Sequence, residues 1–357
     1  MPKEIRSILL IQLGDIGDVV LTTPTMRALR KNFPTSNLVV VARERSKELL
    51  EDSPWVSQVV PIKKKERKLG QEIAYQTSFF SQLRKNSFDV AIELRTGTRG
   101  AIISYLSGAR YRVGRYADDG RLWRNRVFTH LVRPKNELSQ YSAEHSLNIL
   151  APFNLKIDNR TPELFVSAEK LKRADVILKR EGVHVNDPII AIQPFALWKY
   201  KEWGMNKYVK LIDFIGTEYG FPILITGSAE ERKRAEEIIN KCRVNVHNLA
   251  GRTSVGEYAG LLQACSLLIG GDSGGIHIAA AVGTPTLSIF GPSSALNWAP
   301  KGPQHHVIHK DWSCVPCRQM ECEHGEVSRC LEELSVEDVM AVIKNRVLKE
   351  ASKITTE

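Results

Sequence analysis

The sequence lacks any long uninterrupted apolar run, and it is poor in cysteine and aromatic residues. Its 357 residues include six Cys, and Phe, Trp and Tyr together make up 7% of the chain. Glycine, proline and charge show no excess of the kind that marks fibrous or disordered chains. The one long stretch without Lys, Arg, Asp or Glu lies between Asp272 and Lys301, and turn signals at Gly283-Thr284-Pro285 and Gly291-Pro292 interrupt it. This pattern predicts helix, turn and strand inside a folded domain rather than a membrane-spanning helix.

The start of the sequence lacks the features of an export signal. It carries Glu4, and the apolar stretch Ile8–Ile11 is shorter than the core of a signal peptide, which has about 7–15 residues. Cysteines in a chain without export are expected to be thiols or metal ligands rather than disulfides. We therefore expect a cytoplasmic protein.

Short runs rich in Ile, Val and Leu alternate with longer amphipathic runs, which is typical of parallel strands joined by helices. In the first half the predicted strands are Ser7–Gln12, Leu38–Val41, Gln58–Pro61, Asp89–Leu94 and one near Arg112, and the predicted helices are Pro24–Asn32, Arg45–Glu51, Gln71–Lys85, Thr98–Leu106 and Ala143–Leu150. In the second half the predicted strands are Pro188–Gln193, Pro222–Thr226, Leu267–Gly270 and Thr286–Phe290. The predicted helices there are Ala168–Glu181, Asn206–Tyr219, Glu230–Asn240, Val255–Ala264 and Gly275–Ala281. The expected fold class is α/β, with two doubly wound, Rossmann-like domains that face a central cleft. Ligands of such domains bind at the carboxyl ends of the strands.

The polar segment Asn154–Pro162 lacks periodicity and indicates a linker. We expect domains at 1–160 and 161–334, followed by a C-terminal segment, 335–357. Ser335 and Asp338 have the spacing of a capping box at the start of an amphipathic helix predicted to run to Leu348.

The net charge of +10 is located in the first half of the chain. Through residue 170 there are 28 Lys and Arg against 18 Asp and Glu, whereas the remainder has 22 of each. One interpretation is attraction of an acidic partner, which could be nucleic acid, an anionic membrane or a phosphorylated small molecule. The other is a surface kept soluble by its cations.

The first predicted strand leads into the segment Leu13–Pro24. Its glycines, Gly14 and Gly17, are three apart and do not form the G-x-G-x-x-G fingerprint, so a dehydrogenase is disfavoured. Two carboxylates, Asp15 and Asp18, follow the strand. An aspartate here serves either as a functional group or as a cap of the next helix.

The segment from Asp272 to Pro285 follows a strand and opens a helix. Ser273, Gly274 and Gly275 would leave backbone N–H groups free at the helix start, which is a phosphate cradle. The histidine one turn into the helix, His277, makes this segment more distinctive than a lone glycine-rich turn.

Two other loops end strands of the second half. Lys199 and Lys201 follow the first of them, where a lysine either neutralises a diphosphate or stays in solvent, and Trp203 is expected to pack this loop. The loop Thr226–Glu231 ends in a carboxylate that can accept two hydrogen bonds from a ribose, although the helix dipole alone also favours an acid there.

Five segments, in this order, resemble glycosyltransferase family nine, whose best-known members are the ADP-heptose:lipopolysaccharide heptosyltransferases. The resemblance covers about residues 6 to 348, and its segments are Gly17–Pro24, Lys201–Trp203, Thr226–Ser228, Asn248–Gly251 and Asp272–Pro292. Where family members often have Trp-Pro, this sequence has Trp203-Gly204, a departure that affects the local backbone.

The resemblance implies the GT-B architecture, with an acceptor domain, a nucleotide-sugar domain and a final helix that packs back toward the first domain. It implies that Asp18 is the catalytic base, whereas Asp15 lies where the family has no fixed acid. The resemblance also implies the donor site. In it Lys201 contacts the diphosphate and Glu231 lies near the ribose. The phosphate motif consists of Asp272, Ser273, Gly274 and His277.

The cysteines Cys314, Cys317, Cys322 and Cys330 lie within seventeen residues, close to His324. They could hold a structural zinc ion or remain unliganded thiols, and neither interpretation makes them the catalytic centre. We expect no cofactor and no catalytic metal.

The resulting hypothesis is an inverting glycosyltransferase that moves a heptose from ADP-heptose to the phosphorylated inner core of lipopolysaccharide, peripheral to the inner membrane. Alternatives are an enzyme of the same fold that uses another nucleotide sugar, and a nucleotide-sugar binding protein without turnover. A nucleic-acid binder ranks last, because the basic clusters contain few aromatic residues.

Overall fold

The computed structural model describes residues 4–63, 68–118, 123–320, 322 and 327–344. The chain divides into two compact units, Met1–Phe165 (unit 1) and Val166–Glu357 (unit 2). Each unit contains one parallel sheet with helices on its faces.

The sheet of unit 1 has the strand order β3-β2-β1-β4-β5-β6. Its strands are β1 (Ser7–Gln12), β2 (Asn37–Arg43), β3 (Gln58–Ile62), β4 (Val90–Glu93), β5 (Tyr111–Arg115) and β6 (His130–Val132). Its helices are α1 (Ile16–Leu21), α2 (Thr23–Asn32), α3 (Lys47–Leu50), α4 (Leu69–Arg84), α5 (Thr98–Leu106) and α6 (Ser142–Asn148), with 3-10 turns at Glu44–Ser46, Asn125–Val127, Glu137–Ser139 and Ala151–Phe153.

Both faces of the unit 1 sheet are covered, so its central strands are apolar throughout. Every residue of β1 is buried. Leu10 faces the core shared with α2 and α6, whereas Leu9 faces the core shared with α4 and α5. The helices α4 and α5 therefore lie on the same face of the sheet.

The sheet of unit 2 has the order β12-β11-β10-β7-β8-β9. Its strands are β7 (Ile190–Gln193), β8 (Ile223–Ile225), β9 (His247–Asn248), β10 (Leu267–Gly271), β11 (Thr286–Ile289) and β12 (His305–Ile308). Its helices are α7 (Ala168–Arg180), α8 (Met205–Tyr219), α9 (Arg232–Ile239), α10 (Val255–Gln263), α11 (Gly274–Ala281), α12 (Ala295–Trp298), α13 (Arg329–Glu332) and α14 (Val336–Val342), with a 3-10 turn at Lys199–Lys201.

The helix α14 begins with the predicted capping box. Ser335 Oγ accepts from the Asp338 N–H at 3.1 Å, and the Asp338 carboxylate accepts from the Ser335 N–H at 3.2 Å. The helix packs on α8 and contributes Val336 and Val339 to the core of unit 2. Residues 345–357 lie outside the described residues, so the packing of this segment toward the first half stays a prediction.

The central strands and long helices were predicted within a few residues, and the strand β1 and the helix α5 have the predicted bounds. The prediction missed the short edge strands β6, β9 and β12 and the short helices α1, α12 and α13. The segment 154–162 belongs to unit 1 and lies just before the division between the units, and Arg27 donates to its Asn159 and Thr161 carbonyls at 3.0 and 2.8 Å. Within the described ranges, no helix is both long and apolar enough to cross a bilayer.

Candidate active site

Asp18 lies in unit 1 beyond the carboxyl end of β1, in the first turn of α1. Its Oδ2 accepts hydrogen bonds from the Asp15 N–H at 2.9 Å and from Arg95 Nη1 at 2.7 Å. The side chain is 24% exposed. The carboxylate therefore caps the helix and still reaches solvent, so the two interpretations of this aspartate are compatible.

The turn between β1 and α1 requires glycine beside Asp18. A Cβ at Gly14 would lie 2.3 Å from Asp18 Oδ2 and 2.7 Å from Arg95 Nη1. Gln12 supports the turn from the end of β1, since its Oε1 accepts from the Gly14 N–H at 3.0 Å and its amide donates to Thr22 Oγ1 at 2.7 Å. The glycine thus permits the close approach of Arg95 and Asp18.

Arg95 was not among the predicted site residues. It follows β4, the strand next to β1 in the sheet. A buried ion pair between Glu93 and Arg124 holds the backbone of Arg95. The Arg95 N–H donates to Glu93 Oε1 at 3.1 Å, and Arg124 Nη2 donates to the Arg95 carbonyl at 2.8 Å. The signal available in the sequence was two charged residues, Glu93 and Arg95, at the end of an apolar strand.

The ion pair behind Arg95 is almost inaccessible to solvent. Arg124 Nη2 lies 2.7 Å from Glu93 Oε2, and the side chains are 3% and 2% exposed. Burial raises the pKa of Glu93 to about 8, although the Arg124 guanidinium opposes the shift. Because Arg124 Nη2 donates to both Glu93 and the Arg95 carbonyl, and Glu93 accepts from the Arg95 N–H, the pair holds the backbone that follows β4.

The neighbouring carboxylate, Asp15, has different partners. Its Oδ1 lies 2.8 Å from Arg43 Nη1 and also pairs with Arg45. Two guanidinium groups neutralise this side chain. The two carboxylates, which are three residues apart in the sequence, thus have different arginine partners.

In unit 2, Lys201 and Asp272 form an ion pair across 71 residues of sequence. Lys201 Nζ lies 2.6 Å from Asp272 Oδ2, with the side chains 20% and 6% exposed. Lys201 ends the 3-10 turn after β7, and Asp272 follows β10, which pairs with β7. The partly accessible ammonium is therefore held in place by a buried carboxylate.

The start of α11 adjoins Asp272 and has an available hydrogen-bonding group. Ser273 is the N-cap residue, but its Oγ makes no capping bond, and this buried oxygen has no hydrogen-bond partner among the described residues. The first N–H groups of a helix also have no intrahelical acceptor, and the dipole favours an anion there. Ser273 and Gly274 thus present donors that suit an anion. Anion binding at this helix start stays a prediction from the sequence pattern.

Gly275 has a packing role in this cradle. A Cβ there would lie 1.7 Å from Gln193 Oε1 and 2.8 Å from the Tyr258 hydroxyl. The Tyr258 hydroxyl donates to Gln193 Oε1 at 3.2 Å and lies 3.0 Å from Thr226 Oγ1. This chain links the carboxyl ends of β7 and β8 to the start of α11, and sequence reasoning missed both Gln193 and Tyr258.

Glu231 lies after β8, at the N-cap of α9. Its Oε2 accepts from the Ser228 N–H at 2.7 Å, and a Cβ at Gly227 would lie 2.7 Å from the same oxygen. The carboxylate is half-buried against its own loop. It therefore occupies the strand end next to β7, with one oxygen engaged by the turn.

The loop that carries Lys201 is anchored at several points. Arg234 donates to both oxygens of Glu202, at 3.0 and 2.5 Å, and this carboxylate raises the pKa of Arg234. Trp203 is 3% exposed, as expected for a residue that packs the loop, and its Nε1 donates to the Leu334 carbonyl at 2.9 Å. These contacts restrict the motion of Lys201.

The Trp203-Gly204 departure has a backbone explanation. Gly204 is the N-cap of α8, with a φ of +107°. Proline holds φ near about −65°, so the Trp-Pro form is incompatible with this backbone. Glycine is needed for conformation alone, because a Cβ at Gly204 would have nothing within 4 Å.

His277 is buried one turn into α11, with its ring centroid 6.5 Å from that of Trp298.

Of the four clustered cysteines, Cys314 is exposed and Cys330 is buried, and all four are free thiols. Burial, together with Cys322 and Cys317, raises the pKa of Cys330 to about 11. Among the described residues, which exclude His324, no group of three or more His, Cys, Asp or Glu could hold a metal ion.

The structure thus brings five of the predicted residues to the carboxyl ends of β7 and β10, namely Lys201, Asp272, Ser273, Gly274 and Gly275. Glu231 lies at the neighbouring strand end, His277 inside α11, and Asp18 in unit 1. The donors and the ion pair in unit 2 suit a polyanion, whereas Asp18 offers a carboxylate that can accept a proton.

Comparison with known proteins gives a consistent result. The family model described as "Glycosyltransferase family 9 (heptosyltransferase)" matches residues 76–328. Lipopolysaccharide heptosyltransferase 3 of Escherichia coli is 29% identical over 289 residues, which cover 80% of this chain and 83% of that protein.

Two solved structures share the fold over nearly the whole chain. The glycosyl transferase family 9 protein of Veillonella parvula has a TM-score of 0.84 at 20% identity, covering 98% of this chain and 99% of that chain. ADP-heptose lps heptosyltransferase II of E. coli has a TM-score of 0.78 at 22% identity, covering 97% and 99%. The expected α/β class with two doubly wound GT-B domains is confirmed.

Proposed function

The chain belongs to glycosyltransferase family 9, and from that premise we propose that it transfers a heptose from ADP-heptose to the inner core of lipopolysaccharide, with inversion at the anomeric carbon. The named relatives support the sugar and the acceptor class, since the E. coli protein described above is a lipopolysaccharide heptosyltransferase. The chemistry is divided between the units, with acceptor activation in unit 1 and leaving-group stabilisation in unit 2.

The observation that carries the proposal is the start of α11 beside the Lys201–Asp272 pair. The buried Ser273 Oγ without a partner and the free N–H groups of the first turn are suited to phosphate oxygens. Lys201 provides a cation that is partly exposed. In this proposal Asp272 contributes by orienting Lys201 rather than by touching the phosphates, which carry the same sign of charge.

Transfer requires stabilisation of the diphosphate as it departs. Negative charge grows on the leaving oxygen when the bond to the anomeric carbon breaks, and preorganised donors at that oxygen are worth about 10²–10³ in rate per donor. Lys201 and the α11 start are such donors. Glu231 accepts hydroxyl hydrogen bonds from the ribose, with its other oxygen engaged by Ser228.

Asp18 is the general base in this proposal. Arg95 and the Asp15 N–H both bind Oδ2. Among the described residues, none donates to Oδ1, so that oxygen is available to the acceptor hydroxyl. Removal of the hydroxyl proton during attack contributes about 10²–10⁴ in rate. Arg95 acts as a positioning residue that holds the carboxylate in one orientation.

The acceptor is proposed to be the phosphorylated core of a lipid-anchored saccharide, met at the cytoplasmic face of the inner membrane. The support is the charge distribution, since the whole excess of +10 lies within the first 170 residues. A phosphorylated acceptor on an anionic surface requires positive potential. We propose no nucleic-acid partner, no cofactor and no catalytic metal.

The direct test uses purified protein, a core lipopolysaccharide that lacks heptose, and a panel of ADP-heptose, UDP-glucose and GDP-mannose. We expect nucleotide release and a product one heptose heavier with ADP-heptose alone. Transfer from another sugar and not from ADP-heptose would contradict the proposed donor.

The residue test compares Asp18→Asn with Asp15→Asn. Asp18→Asn should lower kcat by about 10²–10⁴ with donor affinity unchanged, because a base acts in the transition state. Asp15→Asn is the matched control and should stay within about tenfold of the wild type. The reverse order of the two losses would assign the base to Asp15.

A further inference from the structure

Three arginines meet two aspartates at the carboxyl edge of the unit 1 sheet. Arg43 ends β2 and Arg45 lies in the 3-10 turn that follows it, and both pair with Asp15 Oδ1. Arg95 follows β4 and pairs with Asp18. The strands β2 and β4 are the two neighbours of β1, the strand after which both aspartates lie. We call Arg43, Arg45 and Arg95 the arginine cluster.

The two ion-paired groups are joined through Asp15. Its N–H donates to Asp18 Oδ2 at 2.9 Å, and the same oxygen accepts from Arg95 at 2.7 Å. Its carboxylate Oδ1 lies 2.8 Å from Arg43 Nη1. One residue therefore separates the guanidiniums of Arg43 and Arg45 from the contacts of the proposed base.

The arginine cluster carries one positive charge more than its partners offset. Three guanidiniums face two carboxylates, and among the described residues no other acid pairs with any of the three. Glu44, which lies between Arg43 and Arg45 in the sequence, pairs with Lys63 at 3.3 Å. The side chains of the cluster are 46–48% exposed, so they are accessible to a ligand. Cations held together in this way attract an anion.

The hydrogen-bonding geometry also leaves donors for a ligand. Arg43 and Arg45 share a single oxygen of Asp15, so neither guanidinium presents two parallel N–H groups to that carboxylate. Arg234, which anchors a loop, does present them, since it donates to both oxygens of Glu202. Guanidiniums recognise carboxylates and phosphates through such parallel bonds. The two arginines of unit 1 therefore keep the donors that bind an oxyanion.

We propose that Arg43 and Arg45 bind an oxyanion group of the acceptor, a carboxylate or a phosphate, and so place the attacked hydroxyl at Asp18. This inference rests on the proposed function, because that function assigns the acceptor to unit 1. The subsite selects an acceptor that carries an acidic group close to the reacting hydroxyl. Arg95 remains the positioning residue of the base, since its guanidinium is engaged with Asp18.

The first measurement is binding of a delipidated, heptose-free core saccharide to the full-length protein by calorimetry, without a donor. Arg43→Gln with Arg45→Gln should raise Kd by about 10–100-fold, because charge-assisted hydrogen bonds are lost. In turnover, KM for the saccharide should rise likewise and kcat should change little, since the subsite binds the acceptor equally before and during attack. The ion pairs are half-exposed, so the denaturation midpoint should stay close to that of the wild type.

Two altered saccharides identify the acidic group. One is treated with phosphatase, and the other has its carboxyl groups reduced to alcohols. We expect one treatment to raise the wild-type Kd by about 10–100-fold and to leave the Kd of the arginine variant unchanged, because it removes the group that the arginines bind. An effect of phosphatase assigns a phosphate, and an effect of reduction assigns a carboxylate.

Three further variants separate a built subsite from general charge. Arg6→Gln with Arg160→Gln removes two exposed arginines of unit 1 that each pair with one acid, and it should bind the saccharide as the wild type does. Arg43→Lys with Arg45→Lys keeps both charges without the planar fork, so it should recover only part of the affinity. Asp15→Asn added to the Gln pair removes the carboxylate left without partners, and Kd should stay raised.

Equal affinity of the wild type and the Gln pair would overturn the proposal, and so would altered saccharides that both bind as well as the untreated one. Full recovery in the Lys pair would reduce the subsite to general attraction. Recovery on adding Asp15→Asn would mean that the arginines only neutralise Asp15. A wild type that binds the saccharide through these arginines but transfers no heptose would instead contradict the proposed function.

Discussion

Substitutions in the ion pair between Lys201 and Asp272 can show whether Lys201 serves catalysis or only the stability of the fold. At 2.6 Å the two charges attract by about 6 kcal/mol at an effective dielectric constant of 20, before the cost of removing them from water. Removing one partner of a buried pair typically costs about 3–5 kcal/mol, because the other charge is left without compensation.

The two single variants should differ in stability. Lys201→Ala leaves a carboxylate that is 6% exposed, so we expect the free energy of unfolding to fall by about 3–5 kcal/mol. Asp272→Asn leaves a lysine that is 20% exposed and can turn to solvent, so the loss should be about 1–2 kcal/mol. The double variant, Lys201→Ala with Asp272→Asn, has neither charge and should recover most of the loss.

Activity should not follow stability. If Lys201 stabilises the departing diphosphate, the double variant remains about 10²–10³ lower in kcat although its fold is restored. Asp272→Asn keeps the ammonium but not its position, so its kcat should fall by about tenfold. Urea unfolding gives the stabilities, calorimetry the donor affinity, and nucleotide release the turnover.

Recovery of both stability and turnover in the double variant would refute the reasoning, because Lys201 would then serve only to neutralise Asp272. Lys199→Ala is the matched control from the same 3-10 turn. It should alter kcat by less than about tenfold.

Three further predictions concern other parts of the chain. Arg95→Gln removes the guanidinium that orients the Asp18 carboxylate, so kcat should fall by about 10–100-fold while the donor affinity measured by calorimetry stays unchanged. A matching loss of donor affinity would contradict this role of Arg95. Because φ is +107° at Gly204, Gly204→Ala should lower the free energy of unfolding by about 1–2 kcal/mol, and Gly204→Pro should lower it by more. Denaturation midpoints equal to that of the wild type would argue against a positive φ at this residue. Burial, with His306 nearby, lowers the pKa of His305 to about 4, so stability that is present above pH 6.5 should be lost as pH falls toward 4. Thermal unfolding across this range should show the loss in the wild type and a smaller one in His305→Asn.

Much of the fold was readable because its signals are local. The apolar runs of β1 and β10 and the alternation with helices follow from side-chain periodicity. The Ser273-Gly274 helix start follows from turn and capping chemistry within a few residues. The two-residue strand β9 was missed, because its pairing with β8 depends on a neighbour distant in sequence and not on its own composition.

The partners of the site residues came from the tertiary structure alone. Arg95 reaches Asp18 across 77 residues because β4 lies beside β1, and Lys201 reaches Asp272 across 71 because β7 lies beside β10. The strand order of a sheet is a long-range property that no local pattern encodes.

The sequence by itself determined the α/β class, the positions of the glycine-rich helix start and the candidate base, and the family resemblance. Only the tertiary structure decided that Asp15 is neutralised by two arginines, that Asp272 holds Lys201, and that a buried Glu93–Arg124 pair fixes Arg95. The physical reason is that a residue's type and spacing specify which chemistry it can perform. The side chains that orient it, and the solvent they exclude, depend on which strands the fold places next to one another.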